Sequence, residues 1–117
     1  MSYDIDLVDS ITEKCVTVPK HEEGGVYAVG GITDASLSIT YNYAQYYFDH
    51  IDSKDGIRWL YGKKAKNCIK GIEKAVMELG TVRNDDYWKG TPGNAGYALS
   101  ILLAWARLHP EATFQGD

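Results

Sequence analysis

Thr91-Pro92-Gly93-Asn94-Ala95-Gly96-Tyr97-Ala98-Leu99-Ser100-Ile101-Leu102-Leu103-Ala104-Trp105-Ala106-Arg107-Leu108 is the stretch on which the fold turns. Threonine before proline is a strong helix start, because the hydroxyl can cap the first turn and the proline lacks an N–H that would have no partner there. From Ala95 onward Ala98, Leu99, Ile101, Leu102, Leu103, Ala104, Trp105, Ala106 and Leu108 leave almost no polar side. The spacing therefore predicts a helix from Pro92 to Leu108 buried on most of its faces. His109-Pro110 forces the exit. Gly96 and Ser100 interrupt the apolar run and Arg107 charges its end, so it is too short to span about 30 Å of hydrocarbon. No membrane insertion is expected.

Upstream of this helix, Tyr3, Ile5 and Leu7 alternate with Asp4 and Asp6, the pattern of a half-buried strand. Cys15-Val16-Thr17-Val18 reads as its hairpin partner, closed by Pro19. Val26-Tyr27-Ala28-Val29 reads as a short strand between two glycine pairs. Leu37, Ile39, Tyr41 and Tyr43 alternate with Ser36, Ser38, Thr40 and Asn42, the clearest period-2 signal in the chain. Tyr46, Tyr47, Phe48 and Ile51 suggest a short helix, and Ile57 to Tyr61 fits either helix or strand. Ala65, Cys68, Ile69, Ile72, Ala75, Val76 and Leu79 mark an amphipathic helix that Gly80 should stop. Strands first and helices later, without a βαβ rhythm, indicate an α+β fold. The expectation is one domain over residues 1–117. A small antiparallel sheet of about three or four strands in the N-terminal half packs on two or three helices, with a buried C-terminal helix.

At 117 residues, with 44% hydrophobic and 24% charged side chains, the chain can bury a core without staples. A net charge of −4 gives no reason to bind nucleic-acid backbones, and no nucleic-acid partner is expected. More than half of the 12 basic residues lie between Lys54 and Lys74, which reads as a solvated helix face. Two cysteines, Cys15 and Cys68, lack disulfide-framework spacing. Residues 1–9 are acidic, unlike a secretory leader. A reducing, cytoplasmic setting is the expectation.

His21, His50 and His109 are far apart and carry no metal-ligand spacing, and the glycine pairs carry no phosphate-loop signature. No catalytic residue, metal or cofactor is assigned. Two groups suit binding. Asp86, Tyr87 and Trp88 form an acidic aromatic loop just before Thr91 and Asn94, at a helix N-terminus able to hold an anion. Arg58-Trp59, with Tyr41 and Tyr43, supplies rings and a cation that stack on bases or anchor interfaces. The candidate ligand-binding set is thus Tyr41, Tyr43, Arg58, Trp59, Asp86, Trp88, Thr91 and Asn94. The plainer alternative is that Trp59 and Trp88 cover the core and Thr91 merely caps its own helix.

Ile39-Thr40-Tyr41-Asn42-Tyr43, Gly56-Ile57-Arg58-Trp59-Leu60-Tyr61-Gly62-Lys63, Asp85-Asp86-Tyr87-Trp88, Thr91-Pro92-Gly93-Asn94-Ala95 and the ending Phe114-Gln115-Gly116-Asp117 together resemble small uncharacterised proteins encoded by bacteriophages and bacterial prophage regions. The resemblance implies a mobile-element origin and a bacterial host cytoplasm, and brings no activity with it. The expected function is a non-catalytic protein that binds a host or defence-system partner; the alternative is a binder of a nucleotide or other small phosphorylated anion. The many tyrosines suit a homodimer surface as well as a pocket.

Overall fold

The computed structural model describes residues 1–22 and 31–117. Along the chain run β1 (Ser2–Val8), β2 (Thr17–His21), β3 (Ile32–Asp34), β4 (Ser36–Thr40), α1 (Ala44–His50), α2 (Ile69–Leu79), α3 (Pro92–Leu108) and β5 (Thr113–Gly116). The helix over Pro92–Leu108 forms as its sequence dictates: the Thr91 hydroxyl accepts the Asn94 N–H at 3.1 Å. Leu99, Leu102, Trp105 and Ala106 are buried on α3, while Tyr97, Arg107 and Leu108 stay exposed.

The sheet that α3 helps to cover is antiparallel in the order β4-β1-β5. Tyr3 faces Ile39 and Ile5 faces Leu37 across β1 and β4, and Leu7 faces Phe114 across β1 and β5. All six side chains are buried, joining those of Ile72 and Ala75 from α2 and Leu99 and Leu102 from α3 in one core. Tyr47 of α1, fully buried, donates its hydroxyl to the Ala95 carbonyl at 3.0 Å and so ties α1 to α3. Two glycines bring the chain leaving α2 against α3. A Cβ on Gly96 would lie 1.8 Å from the Gly80 carbonyl oxygen, and one on Gly93 1.8 Å from that of Val82.

The α+β class, the antiparallel sheets and the buried C-terminal helix are as expected. Several local readings need correction. The sheet takes its third strand, β5, from residues 113–116, which no periodicity marked. The outer edge of β5 is in turn covered by residues 62–64, where the Gly62 N–H donates to the Phe114 carbonyl and the Phe114 N–H to that of Lys63. Cys15 makes only an isolated bridge to Val8, and Pro19 does not end the strand. β2 runs through Pro19 to His21 and pairs with β3 in a separate two-stranded sheet, where an edge position tolerates the missing donor. The alternation through Tyr41 and Tyr43 overruns β4: Thr40 caps a 3₁₀ turn over Tyr41–Tyr43 by accepting the Asn42 N–H at 3.2 Å. Ile57 to Leu60 lie in another 3₁₀ turn, Gly56–Leu60. The amphipathic helix is split, with a 3₁₀ turn at Ala65–Asn67 before α2, and Gly80 (φ 76°) stops it. The strand expected over residues 26–29 lies outside the described residues.

Candidate functional site

Two contacts tie β2 to α3 and the residue that ends it: the ring of His109 bonds the Thr17 carbonyl at 2.8 Å, and the ring of His21 meets Trp105 of α3 edge-on at 4.8 Å. Both nitrogens of His21 face carbonyl oxygens, Glu22 and Asp34, each at 2.7 Å.

Between this ribbon, the free side of β4 and α3 opens a cavity of about 320 Å³. Its floor is apolar, made by Leu37 and Ile39 of β4 and Ala98 and Ile101 of α3. Tyr43, Tyr87 and Tyr97 bring three phenol rings to its sides, and Lys20, His21, Glu22 and Arg83 stand around it. A volume near the lower end of the usual range for small-ligand sites, with an apolar floor and a few polar groups, is the ordinary composition of such a site.

Tyr87 organises the β4 side. In the register with β1, the N–H and C=O groups of Ser38 and Thr40 turn away from the sheet. The Tyr87 hydroxyl meets both, donating to the Ser38 carbonyl at 2.9 Å and accepting the Thr40 N–H at 3.3 Å. The Tyr43 hydroxyl donates to the Tyr87 carbonyl, and burial holds that phenol well above its ordinary range of ionisation. Arg83 lies over the Tyr97 ring with its guanidinium carbon 4.5 Å from the centroid.

The eight residues singled out by sequence fall into three places. Tyr43 and Asn94 line the cavity. Asn94 is buried, and its side chain is occupied: it accepts the Asn84 N–H at 2.8 Å and donates to the carbonyls of Asp86 and Lys89, both at 3.0 Å. Asp86 accepts the Trp88 N–H at 3.0 Å, and the Asn42 amide donates to the Trp88 carbonyl at 2.6 Å. Thr91, Asn94, Asp86 and Trp88 therefore brace residues 81–90 across the start of α3, and the Thr91 hydroxyl serves its own helix.

Tyr41 and Arg58 meet elsewhere. Arg58 lies 4.9 Å over the Tyr3 ring, donates to the Tyr41 hydroxyl at 3.1 Å and donates to the Asp117 carbonyl oxygen at 3.3 Å. The Tyr61 hydroxyl donates to the same oxygen at 3.2 Å, so this cluster holds the strand β5 at its far end. Trp59 is a third place: the Lys63 ammonium lies 4.3 Å over its ring. Lys20, His21, Arg83 and Tyr97 went unread as site residues. Of these Tyr97 alone carries a signal, as the tyrosine within the apolar helix.

Among the described residues, no group of three His, Cys, Asp or Glu side chains is placed to hold a metal ion, and no helix is long and apolar enough to cross a membrane. No protein-family model matches this chain, and neither a curated protein nor a solved structure does.

Proposed function

We propose that this protein is a non-catalytic small-ligand binder whose site is the cavity between β4, the end of β2 and α3. One observation carries the reading: three tyrosine rings and two side-chain cations surround an apolar-floored space of ligand size. Nucleotides and other phosphorylated molecules head the candidates, because their flat bases match the rings. A cytoplasmic location belongs to the same proposal, supported by two thiols that are both free.

Thermal unfolding tests it against a panel of nucleosides, sugars, nucleotides and sugar phosphates. A ligand at 100 times its dissociation constant stabilises by about 2.7 kcal/mol, an easily read shift. No shift with any member of the panel counts against the reading.

A second reading takes a protein partner, which for a phage or prophage product would be a host or defence-system protein. Its support is the exposed group beside the cavity. Trp88 is 51% exposed and Val82 85%, and Arg83, next to Val82 in the chain, lies over the Tyr97 ring. Exposed aromatic and arginine side chains are the usual anchors of interfaces. Capture of one defined host protein by the wild type and its loss in Trp88→Ala supports this reading; equal capture by both removes it.

A further inference from the structure

We infer that the ligand of this cavity is an anion, its charged group taken at the rim by Arg83 and Lys20 and its flat or apolar body lying on the floor between β4 and α3. The inference rests on the small-ligand reading above and names the class of ligand.

The charges decide it. The lysine and arginine ion pairs among the described residues employ Lys64, Lys66 and Arg107 as their cations. Arg83 and Lys20 enter none of them, although both stand at the cavity. Arg83 is not loose: its guanidinium is laid on the Tyr97 ring of α3 at 4.5 Å. A guanidinium stacked on a ring presents its N–H groups from the edge, in the fork that matches two oxygens of a phosphate or carboxylate. Stacking also fixes the side chain before a ligand arrives, so less rotamer entropy is lost on binding. Among the described residues that line the cavity, Glu22 supplies the carboxylate, set against one lysine and one arginine charge. His21 is committed through both ring nitrogens to backbone carbonyls and serves as wall rather than as a donor to the ligand.

The floor decides the rest of the ligand. Leu37, Ile39, Ala98 and Ile101 offer no polar side-chain atom, so a ligand that places hydroxyls there leaves them unpaired. The Tyr97 hydroxyl makes no hydrogen bond among the described residues and is the polar group left for a ligand's edge. A phosphate or carboxylate on a planar body satisfies all of these at once; a neutral polyol or a cation does not.

Isothermal titration with matched probes tests the inference on the whole chain. AMP is compared with adenosine, and phenyl phosphate with phenol, with benzoate to separate carboxylate from phosphate and inorganic phosphate to separate the charge from the body. The expected result is binding of a charged probe at least about tenfold tighter than its neutral partner, the effect of a charge-assisted hydrogen bond. Arg83→Gln should remove that tenfold and Arg83→Lys part of it, with Lys20→Gln weakening the same probe; each variant should melt as the wild type does, since both side chains are exposed. Adenosine binding as tightly as AMP and phenol as tightly as phenyl phosphate, or Arg83→Gln binding the charged probe unchanged, overturns the inference. If a neutral compound from the thermal panel binds and Arg83→Gln leaves it unaffected, the anion class is wrong and the small-ligand reading stands. If neither the panel nor the probes bind, both are wrong.

Discussion

The side-chain carbonyl of Asn94, on the first turn of α3, accepts the backbone N–H of Asn84 at 2.8 Å. The same side chain holds the Asp86 and Lys89 carbonyls from its amide nitrogen, and it is only 5% exposed. One buried side chain thus supplies partners to three backbone groups of residues 81–90. Asn94→Ala orphans the Asn84 N–H, while the Asp86 and Lys89 carbonyls keep the N–H groups of Lys89 and Thr91, and should cost about 1–3 kcal/mol, because an unsatisfied buried group costs more than the bond itself contributed. Urea unfolding reads this directly, and a loss under about 1 kcal/mol would show that water replaces the amide. Asn94→Asp should be no better, since a carboxylate would face two carbonyl oxygens.

Tyr87 stands where another strand would stand along β4. Tyr87→Phe keeps the ring against Tyr43 (5.8 Å) and Trp88 (5.0 Å) but deletes the hydroxyl that meets Ser38 and Thr40. The expected loss is about 1–2 kcal/mol of stability, with faster hydrogen exchange at the Thr40 amide. Exchange at Thr40 as slow in the variant as in the wild type would mean that the sheet edge does not depend on the phenol.

What could be read from the sequence follows the range of the interactions involved. α3 was legible because its cap, its proline and its apolar run all act within a few residues of each other. β4 was legible up to Thr40, and its alternation misled beyond that point. The last ladder bond runs from the Tyr41 N–H to the Met1 carbonyl at 3.2 Å, and the Thr40 hydroxyl then captures Asn42 into a turn. β5 was not legible, because Phe114 is its one buried residue and its pairing with β1 lies a chain length away. The cavity was hidden for the same reason. Lys20, Ile39, Arg83 and Tyr97 come from four separate segments, and nothing local ties them. Of the Asp85-Asp86-Tyr87-Trp88 loop the sequence exposed the residue types but not their use, which is to brace α3 and cap β4.

Gly96 and Gly62 predict losses of different size and cause for the same substitution. In most helices glycine to alanine is favourable by about 0.8–1.0 kcal/mol. In Gly96→Ala the new methyl would sit 1.8 Å from the Gly80 carbonyl oxygen and 3.0 Å from the Leu79 Cβ, against backbone that cannot swing aside. Separating α3 from the end of α2 should cost several times the helix gain, about 3 kcal/mol or more by analogy with overpacked cores. Gly62→Ala meets nothing within 4 Å, and only its φ of 83° opposes it, for about 1–2 kcal/mol. Thermal melts of the two variants should therefore differ clearly, with Gly96→Ala the less stable; the reverse order would mean that the Gly80–Gly96 contact is not tight.

Alkaline unfolding should begin with Cys68. Complete burial pushes this thiol up to about 11, and the Lys63 ammonium offsets part of that effect. An unfolded chain releases the proton near pH 8.5, the ordinary value for a cysteine. Between about pH 9 and 11 the unfolded state therefore binds fewer protons than the native one, and stability falls as pH rises, by at most about 1.4 kcal/mol per pH unit for one proton. Below about pH 8 both states keep the thiol protonated and the group contributes no slope. Burial likewise raises Tyr43, Tyr47 and Tyr61, so their contributions join above about pH 10, where tyrosine ordinarily ionises. Urea midpoints from pH 7.5 to 10.5 should stay level and then decline, and Cys68→Ala should make the decline below the tyrosine range shallower, leaving the part due to Cys15, which burial also raises, even though the variant starts from lower stability. A thiol reagent adds an independent reading: Cys68 should stay unlabelled at pH 8 until the chain unfolds, since the thiolate is the reactive form. An identical pH slope in Cys68→Ala between pH 8.5 and 9.5 would assign the alkaline loss to other groups.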